Sequence, residues 1–407
     1  MNGISHAFVR AKELRDEIAA FASQLIQNPS TSGQERAVVN TIRAEMLKVG
    51  FDEVGTDRLG NVIGRVGSGR LRIAMDAHVD TVDVGNQSLW TRAPHSGAIE
   101  GGWVYGRGAS DQKSGMASMV YGMRILKELD LLGDFTVYVV GSVMEEDCDG
   151  LCWRYLIDEH GLVPDLAVIT EPTSLRIHRG HRGRIEYKIR TDGVSAHASA
   201  PERGENAIYS MARILAEIEQ LNEELRPDEF LGKGTITVSE ITSVSPSVNA
   251  VADRCEIHID RRLTAGESGE TARKEVSEIL ERTGVRAELI DLWYDKPSYT
   301  GVCYPAEKYF PSWVMDEQHP IVQAARTTYR KVFQSEPSVS RWDFSTNGTV
   351  IAGIYGIPTV GFGPGDEKYA HAPNERVSID QLVAAAAFYA AFPQIAREMG
   401  VAQDEGE

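Results

Sequence analysis

Cysteine is scarce in this chain: there are four among 407 residues, Cys148, Cys152, Cys255 and Cys303. That is too sparse for a disulfide framework in a chain of this length. Cys148 and Cys152 stand one helical turn apart beside a run of acids. No second cysteine pair accompanies them, so two ordinary thiols on one helix face is a plainer reading than a redox or metal pair. Basic charge is also short, with 42 Lys and Arg against 59 Asp and Glu and a net charge of −17. This argues against nucleic acid as a partner, because backbone binding needs clustered Lys and Arg. By itself the acidic balance marks no cationic substrate; it suits a soluble enzyme. No run approaches ~20 consecutive apolar residues, so no membrane span is expected. Met1 to Gln27 reads as an amphipathic helix of mixed charge. It lacks the basic start, apolar run and small-residue cleavage site of a signal peptide. The expected address is the cytoplasm, where the Asn-x-Ser/Thr matches at Asn86 and Asn347 carry no glycosylation meaning. Familiar nucleotide loops are missing too. The Gly-rich stretch that ends in Asp111-Gln112-Lys113-Ser114 has no Gly before its Lys, and Gly64 to Gly69 makes no dinucleotide fingerprint. There is no His-Glu-x-x-His helix of the mononuclear zinc proteases.

What is present is enough apolar surface, 42% of residues, for a substantial core. Length alone suggests two to three domains at roughly 150 residues each. Through the first 178 residues, short apolar runs alternate with helical patterns. Leu71 to Ala77, Phe135 to Val140 and Leu166 to Thr170 are β-rich and apolar on both faces, as in buried parallel strands covered by helices. Ser114 to Leu132 and Cys152 to Glu159 have helical periodicity. From about Arg179 the pattern changes. Strand-like alternation at Arg184 to Thr191, Thr235 to Ser243, Arg254 to Leu263 and Ala287 to Tyr294 brackets helices at Asn206 to Leu225 and Glu270 to Arg282. That order, β-α-β-β-α-β, is the ferredoxin-like arrangement. After Pro297 the chain is irregular and aromatic from Tyr299 to Trp313, either packed core or the wall of a pocket. Then come a helix at Pro320 to Phe333, a strand at Pro358 to Phe362 and an Ala-rich helix at Asp380 to Met399. The expected fold is α/β. A layered catalytic domain with a mixed, mainly parallel sheet spans residues 1–178 and 298–407. An inserted ferredoxin-like α+β lid spans 179–297.

The chemistry-bearing residues fall at strand ends. His78 and Asp80 follow the strand at Leu71, Glu145 and Glu146 follow the strand at Phe135, and Glu171 follows the strand at Leu166. His371 lies in the loop after the strand at Pro358, and Asp111 closes the turn Gly106-Arg107-Gly108-Ala109-Ser110-Asp111. Sites of open α/β sheets form just beyond the carboxyl ends of the strands. Singly these residues are unremarkable: a lone His at a strand end is usually structural, and adjacent glutamates are usually a solvated turn. Together, His and carboxylate suit zinc, which takes nitrogen and oxygen donors at ~2.0–2.2 Å. Two zinc ions carry four positive charges. Asp111, Glu146, Glu171 and a bridging hydroxide balance them if His78 and His371 are neutral.

The motifs Met75-Asp76-Ala77-His78-Val79-Asp80-Thr81-Val82, Gly106 to Gly115, Glu145-Glu146, Thr170-Glu171-Pro172 and Ala370-His371-Ala372-Pro373-Asn374-Glu375 occur in that order. The set resembles the aminoacylase / carboxypeptidase G / succinyl-diaminopimelate desuccinylase family of dinuclear zinc hydrolases, over nearly the whole chain. Within that family it is most similar to the selenium-metabolism-linked hydrolase branch, a label that names no substrate. The resemblance implies that His78 and Glu171 hold one zinc, Glu146 and His371 the other, and that Asp111 bridges them through a carboxylate followed by a cis peptide. Manganese or cobalt also suits such a site. Asp80 is then expected to orient the His78 imidazole by hydrogen bond. Glu145 is the expected general base for attack of a metal-bridging hydroxide on an amide-type bond. The bond is that of an N-acyl amino acid, a dipeptide or a ureido amino acid, three substrates that share the same water attack.

His197 matches the lid histidine that stabilises the oxyanion in relatives, reaching in from the neighbouring subunit of a homodimer. Asn249 and Arg262 match substrate contacts on the lid, Arg262 for a substrate carboxylate. Its neighbour Arg261 points to the opposite strand face, so a slip of one residue would exchange them. Gly363-Pro364-Gly365 resembles a Gly-rich contact to the substrate backbone, through Gly363 and Gly365. The chain departs from the family where many relatives carry Gly-Thr-Ser-Asp and it has Phe344-Ser345-Thr346-Asn347-Gly348. Closure over substrate is expected by hinging near Arg179 and Pro297. The competing reading is a catalytically silent metal-binding or substrate-sensing homologue, which the presence of every ligand and of the base disfavours.

Overall fold

Strands that are apolar on both faces need cover on both faces, and that requirement organises the first layer of the molecule. In the computed structural model, which describes residues 3–401, they form at Leu71–His78, Phe135–Ser142 and Leu166–Ile169. With Thr359–Gly361 they make the parallel centre of a nine-stranded sheet. Antiparallel strands extend it on both sides. Val62–Gly67 and Glu53–Thr56 lie beyond Phe135–Ser142, and Ile177–His181 and Trp313–Val314 lie beyond Thr359–Gly361.

The helices Lys113–Glu128 and Ile379–Glu398 pack against each other over this sheet. Small residues allow the close approach. A Cβ added at Gly122 would stand 2.9 Å from the Tyr389 Cβ and 3.0 Å from the Ala386 carbonyl. Ile379–Glu398 has the length and apolar composition of a membrane-crossing helix, but 83% of that window is buried inside the protein, as in a core helix. The expected N-terminal helix is broken at buried Leu14 into Ala7–Glu13 and Arg15–Ile26, preceded by a 3-10 turn at Gly3–His6. Its first residues, Met1 and Asn2, lie outside the described residues.

The alternating strands build a second sheet with a core of its own. Its order is Thr235–Val244, Arg254–Leu263, Gly183–Asp192 and Ala287–Asp291, all antiparallel, which is the ferredoxin-like order 2-3-1-4. The helices Ala207–Glu224 and Gly269–Thr283 bury Met211, Ile214, Val276 and Ile279 with strand residues such as Tyr187 and Ile259. The chain passes between the sheets later than expected. Ile177–His181 still pairs in the first sheet and Gly183 begins the second, so the first passage is at Arg182. On the return, Tyr309 pairs with Ile185 of the second sheet and Trp313 with His181 of the first, so the second passage is at Pro311 and Ser312. Boundaries at 178/179 and 297/298 would cut through these ladders. The expected strand Ala287 to Tyr294 also ends early, at Asp291, and Trp293–Tyr294 pairs instead with Ala306–Glu307. The aromatic stretch is packing: Phe310 and Trp313 are buried, and the Tyr299 hydroxyl donates to the Gly60 carbonyl at 2.9 Å.

Candidate active site

The carboxyl ends of the parallel strands bring His78, Glu145, Glu146 and Glu171 to one edge of the first sheet, where the 106–111 turn adds Asp111 and the loop after Thr359–Gly361 adds His371. His78 Nε2 lies 2.8 Å from Asp111 Oδ1, 3.5 Å from Glu171 Oε1 and 3.8 Å from Glu145 Oε2. His371 Nε2 lies 3.0 Å from Glu146 Oε2 and 3.3 Å from Asp111 Oδ2. Asp111 therefore turns one carboxylate oxygen toward each imidazole. Two donor sets, His78–Glu145–Glu171 and His78–Asp111–Glu146, each gather within 4.8 Å. Donors around one tetrahedral ion at ~2.0–2.2 Å stand about 3.3–3.6 Å apart, so little movement is needed to close on a cation.

Electrostatics favour a cation as strongly as geometry does. Four carboxylates crowd two imidazoles. Burial, reinforced by carboxylate neighbours, pushes the Glu145 and Glu171 carboxyls well up. Burial opposes a charge on His78, but Glu145, Glu171, Asp111 and Asp80 together outweigh it and raise its pKa well above the usual value. Hydrogen bonds to Asp111 and Glu146 raise His371 to about 10. Glu171 Oε2 is buried and has no hydrogen-bond partner among the described residues, a costly state for a carboxylate oxygen unless something positive meets it. The donor set thus fits divalent cations, whose charge would replace the protons the cluster otherwise retains.

Asp80 serves differently from expectation. Its backbone carbonyl, not its carboxylate, is the close partner of His78 Nδ1, at 2.9 Å against 3.6 Å. The carboxylate instead accepts the Glu145 N–H at 3.2 Å, the Glu146 N–H at 3.1 Å and the Ser32 hydroxyl at 2.7 Å. It fixes the turn that carries both glutamates. Glu375, which lies in the His371 motif and had no role assigned from sequence, does the same for the other loop. Fully buried, it accepts from Arg107 Nη1 at 2.7 Å and from the N–H groups of Gly108, Ser110 and Asp111 at 3.1, 2.8 and 2.9 Å. Burial pushes its pKa up to about 7. The Asp111–Gln112 peptide is cis.

The cavity, about 290 Å³, is lined from the second sheet by Arg262 and Arg184 and from the first by Phe344, Ser345, Asp149 and Glu367. Arg262 is held by both oxygens of Asp260 at 2.7 and 3.0 Å. Arg261 turns to the opposite face, where it is fully buried against Glu267 and Glu275. His197 and Asn249 are exposed on adjoining loops, linked by the Ala198 N–H to the Asn249 carbonyl at 2.9 Å, and neither lines this cavity. Gly363 and Gly365 do not line it either. Their carbonyls accept from Leu175 and Ser174, and their N–H groups donate to Thr173 Oγ1 and Gln381 Oε1. A Cβ at Gly363 would lie 2.2 Å from the Thr170 carbonyl, so this glycine lets two strand ends meet beneath Glu171.

Asn347 is buried below the cavity. Its amide donates to Asp76 at 2.8 Å and to Ser142 at 3.0 Å, and its oxygen accepts from the Gly150 N–H and the Cys152 thiol. The side chain must donate to a buried carboxylate, which an ionised Asp cannot do. Cys148 and Cys152 are buried free thiols. Burial pushes Cys148 up to about 12 and raises Cys152 as well, so both stay protonated, as ordinary core thiols do.

Comparison with known proteins agrees with this geometry. The profile of Peptidase family M20/M25/M40 matches residues 74–394. The Escherichia coli (strain K12) protein named Uncharacterized protein YgeY is 49% identical over 384 residues, 94% of this chain and 95% of that protein. A succinyl-diaminopimelate desuccinylase from Cereibacter sphaeroides is 27% identical over 289 residues, covering 66% of this chain and 75% of that one. The crystal structure of Bacillus subtilis YxeP, described as a dinuclear metal binding peptidase from the M20 family, shares the fold with a TM-score of 0.70 at 16% identity, covering 95% and 99% of the two chains. The chain thus belongs to Peptidase family M20/M25/M40 and is a metallohydrolase acting on amide or peptide bonds.

Proposed function

We propose that the protein uses two zinc ions to hydrolyse an amide-type bond in a small substrate bearing a carboxylate: an N-acyl amino acid, a dipeptide or a ureido amino acid. The observation that carries this reading is the Asp111 carboxylate, split between two imidazoles with one oxygen toward each. His78 and Glu171 would hold one ion, Glu146 and His371 the other, and Asp111 both; manganese or cobalt could take the same donors. When bound, such ions lower the pKa of coordinated water and polarise the scissile carbonyl.

The chain's own groups supply the rest. Glu145 lines the cavity without a close imidazole contact, its Oε2 being 3.8 Å from His78 Nε2. That leaves it free to accept the proton of the attacking water and to return it to the leaving nitrogen. Arg262 faces the cavity from the second sheet and offers its guanidinium to a substrate carboxylate. We read the second sheet and its helices as a lid that closes by rotation at Arg182 and at Pro311–Ser312. It would also support a homodimer. His197 is exposed on that unit, as are Val194, Ile208, Tyr209, Ile241 and Val248. Pairing there would bury the apolar side chains and deliver His197 to the partner's site as an oxyanion donor.

The test is a panel of N-acyl, N-carbamoyl and dipeptide substrates, assayed before and after metal stripping. Turnover of one class, lost on stripping and restored by zinc, is expected. Turnover that survives complete stripping would overturn the reading.

A further inference from the structure

The acidic run that carries Glu145 and Glu146 continues with Asp147 and Asp149, and the reaction as drawn leaves both unused. The segment is a tight turn, with the Cys148 N–H bonded to the Met144 and Glu145 carbonyls at 3.2 and 3.0 Å. The first-sheet side holds this turn mainly by its backbone. Asp80 accepts the N–H groups of Glu145 and Glu146, Glu35 accepts that of Met144 at 3.1 Å, and Asn347 accepts that of Gly150 at 2.8 Å. The chain between the two passages holds it by its side chains. Asp149 Oδ1 accepts from Arg184 Nη2 of the second sheet at 3.1 Å, while its Oδ2 accepts the hydroxyl of Ser345 from the first-sheet side. Asp147 Oδ2 accepts from the Tyr294 hydroxyl at 3.0 Å and from Lys296 Nζ at 3.2 Å.

The Arg184–Asp149 contact is built into the molecule. The Asp149 side chain is 8% exposed and that of Arg184 18%. The guanidinium stacks over the Phe310 ring at 4.5 Å and lies 3.5 Å from Glu186 Oε1. Arg184 follows the passage at Arg182, so it stays near the turn through any rotation about that passage. It also stands directly opposite Arg262 in the ladder between Gly183–Asp192 and Arg254–Leu263. The strand pair that offers Arg262 to the substrate is thus tied by a buried ion pair to the turn that carries Glu145.

We infer that Asp149 and Asp147 are positioning residues through which the chain between the two passages, by Arg184 on the second sheet and by Tyr294 packed in the first core, sets where Glu145 stands. This inference rests on Glu145 acting as the general base. Its consequence is that engagement of substrate by the second unit is transmitted to the base. A displacement near 1 Å at a reacting group costs about 10²-fold in rate, so the clamp acts on kcat. A direct substrate contact would act on KM.

The experiment measures kcat, KM and bound metal for Arg184→Ala, Arg184→Lys, Asp149→Asn, Tyr294→Phe and the Arg184→Ala/Asp149→Asn double variant, on the best-hydrolysed member of the substrate panel. Arg184→Ala and Asp149→Asn should each lower kcat about 10- to 100-fold, with KM changed less than about threefold and metal content unchanged. The double variant should be no worse than the worse single variant, because both remove one contact. Arg184→Lys should recover part of the loss, and Tyr294→Phe should show a smaller fall of the same kind. A raised KM with unchanged kcat in Arg184→Ala would overturn the inference and make Arg184 a substrate ligand. Losses that multiply in the double variant would overturn it as well. If Asp149→Asn does not fold, Arg184→Lys and Tyr294→Phe carry the test. Glu145→Ala separates the two levels. Full activity in that variant removes the base and the clamp together, whereas an inactive Glu145→Ala beside normal Arg184 and Asp149 variants removes the clamp alone.

Discussion

The two sheets handle charge in opposite ways. On the second, cations and anions meet in pairs. Lys188 bonds Glu256 at 2.7 Å, Arg262 bonds Asp260 at 2.7 Å, and buried Arg261 is neutralised by Glu267 and Glu275. The partly exposed pairs among these contribute ~0–1 kcal/mol each. At the edge of the first sheet, Asp111, Glu145, Glu146 and Glu171 share two imidazoles, and one Glu171 oxygen meets no donor among the described residues. On the second sheet these charges are matched among themselves, with Arg184 the cation that reaches across to Asp149 of the first. The first is completed by something the chain does not contain. Unbalanced buried charge, more than the number of charges, marks where the chemistry is.

The largest expected effect falls on the unbalanced side. Glu145→Ala should fold and hold metal with turnover lowered by at least ~10²–10⁴-fold, the range of a general base. Steady-state kinetics with metal analysis checks this, and near-normal kcat would remove Glu145 from that role. Next is Asn347→Asp beneath the same edge. It replaces the donor to Asp76 by a second buried carboxylate, which should cost about 3–5 kcal/mol at neutral pH. The folded pair then binds a proton more tightly than the unfolded chain does. The loss should therefore shrink as pH falls, and thermal melts at neutral and acid pH measure it.

The comparison sharpens if the second core is damaged alone. Ile259→Ala removes a fully buried side chain from that core and should cost about 2–5 kcal/mol. Metal content should stay unchanged. Loss of metal at temperatures where the variant is folded would mean that the two regions are not separable. The smallest effect is a change of slope. Burial, with the charge of Asp80 beside it, pushes Glu35 up to about 8 from the usual 4.5. Its contribution to stability is therefore present below about 4.5 and lost as pH rises through about 8. Glu35→Gln keeps an acceptor for the Gly33 and Met144 N–H groups and removes the titration, so its melting temperature should fall less than the wild type's between pH 5 and 8.5.

How far the sequence could be read follows the same division. His78, Glu145, Glu146 and Glu171 were legible because each follows a β-rich apolar run, and the ends of such strands share one edge. Asp111 and His371 were candidates from their places in a Gly-rich turn and in the loop after a strand, and the motif resemblance gave them their ligand roles. Alternation put Arg261 and Arg262 on opposite faces, but it took the motif resemblance to choose Arg262 as the one toward the site. Glu375, Asp149 and Arg184 were not legible as site-builders, because their partners lie far away in sequence: Glu375 meets Arg107 across 268 residues. Gly363 and Gly365 were expected as substrate contacts; that close packing against Thr170 and Ser110 also requires glycine there was not legible, because those neighbours come from distant segments. The passages between sheets were missed because Ile177–His181 and Gly183–Asp192 are consecutive strands separated by Arg182 alone.

The most direct test of a two-cation site is zinc titration of metal-stripped protein by native mass spectrometry, run beside Asp111→Asn, with activity read at each point. Two ions per chain are expected, with turnover appearing as the second binds, and at most one tightly held ion in Asp111→Asn. Saturation at a single ion with full activity, or an Asp111→Asn variant that still binds two ions tightly, would contradict a carboxylate shared between two metals.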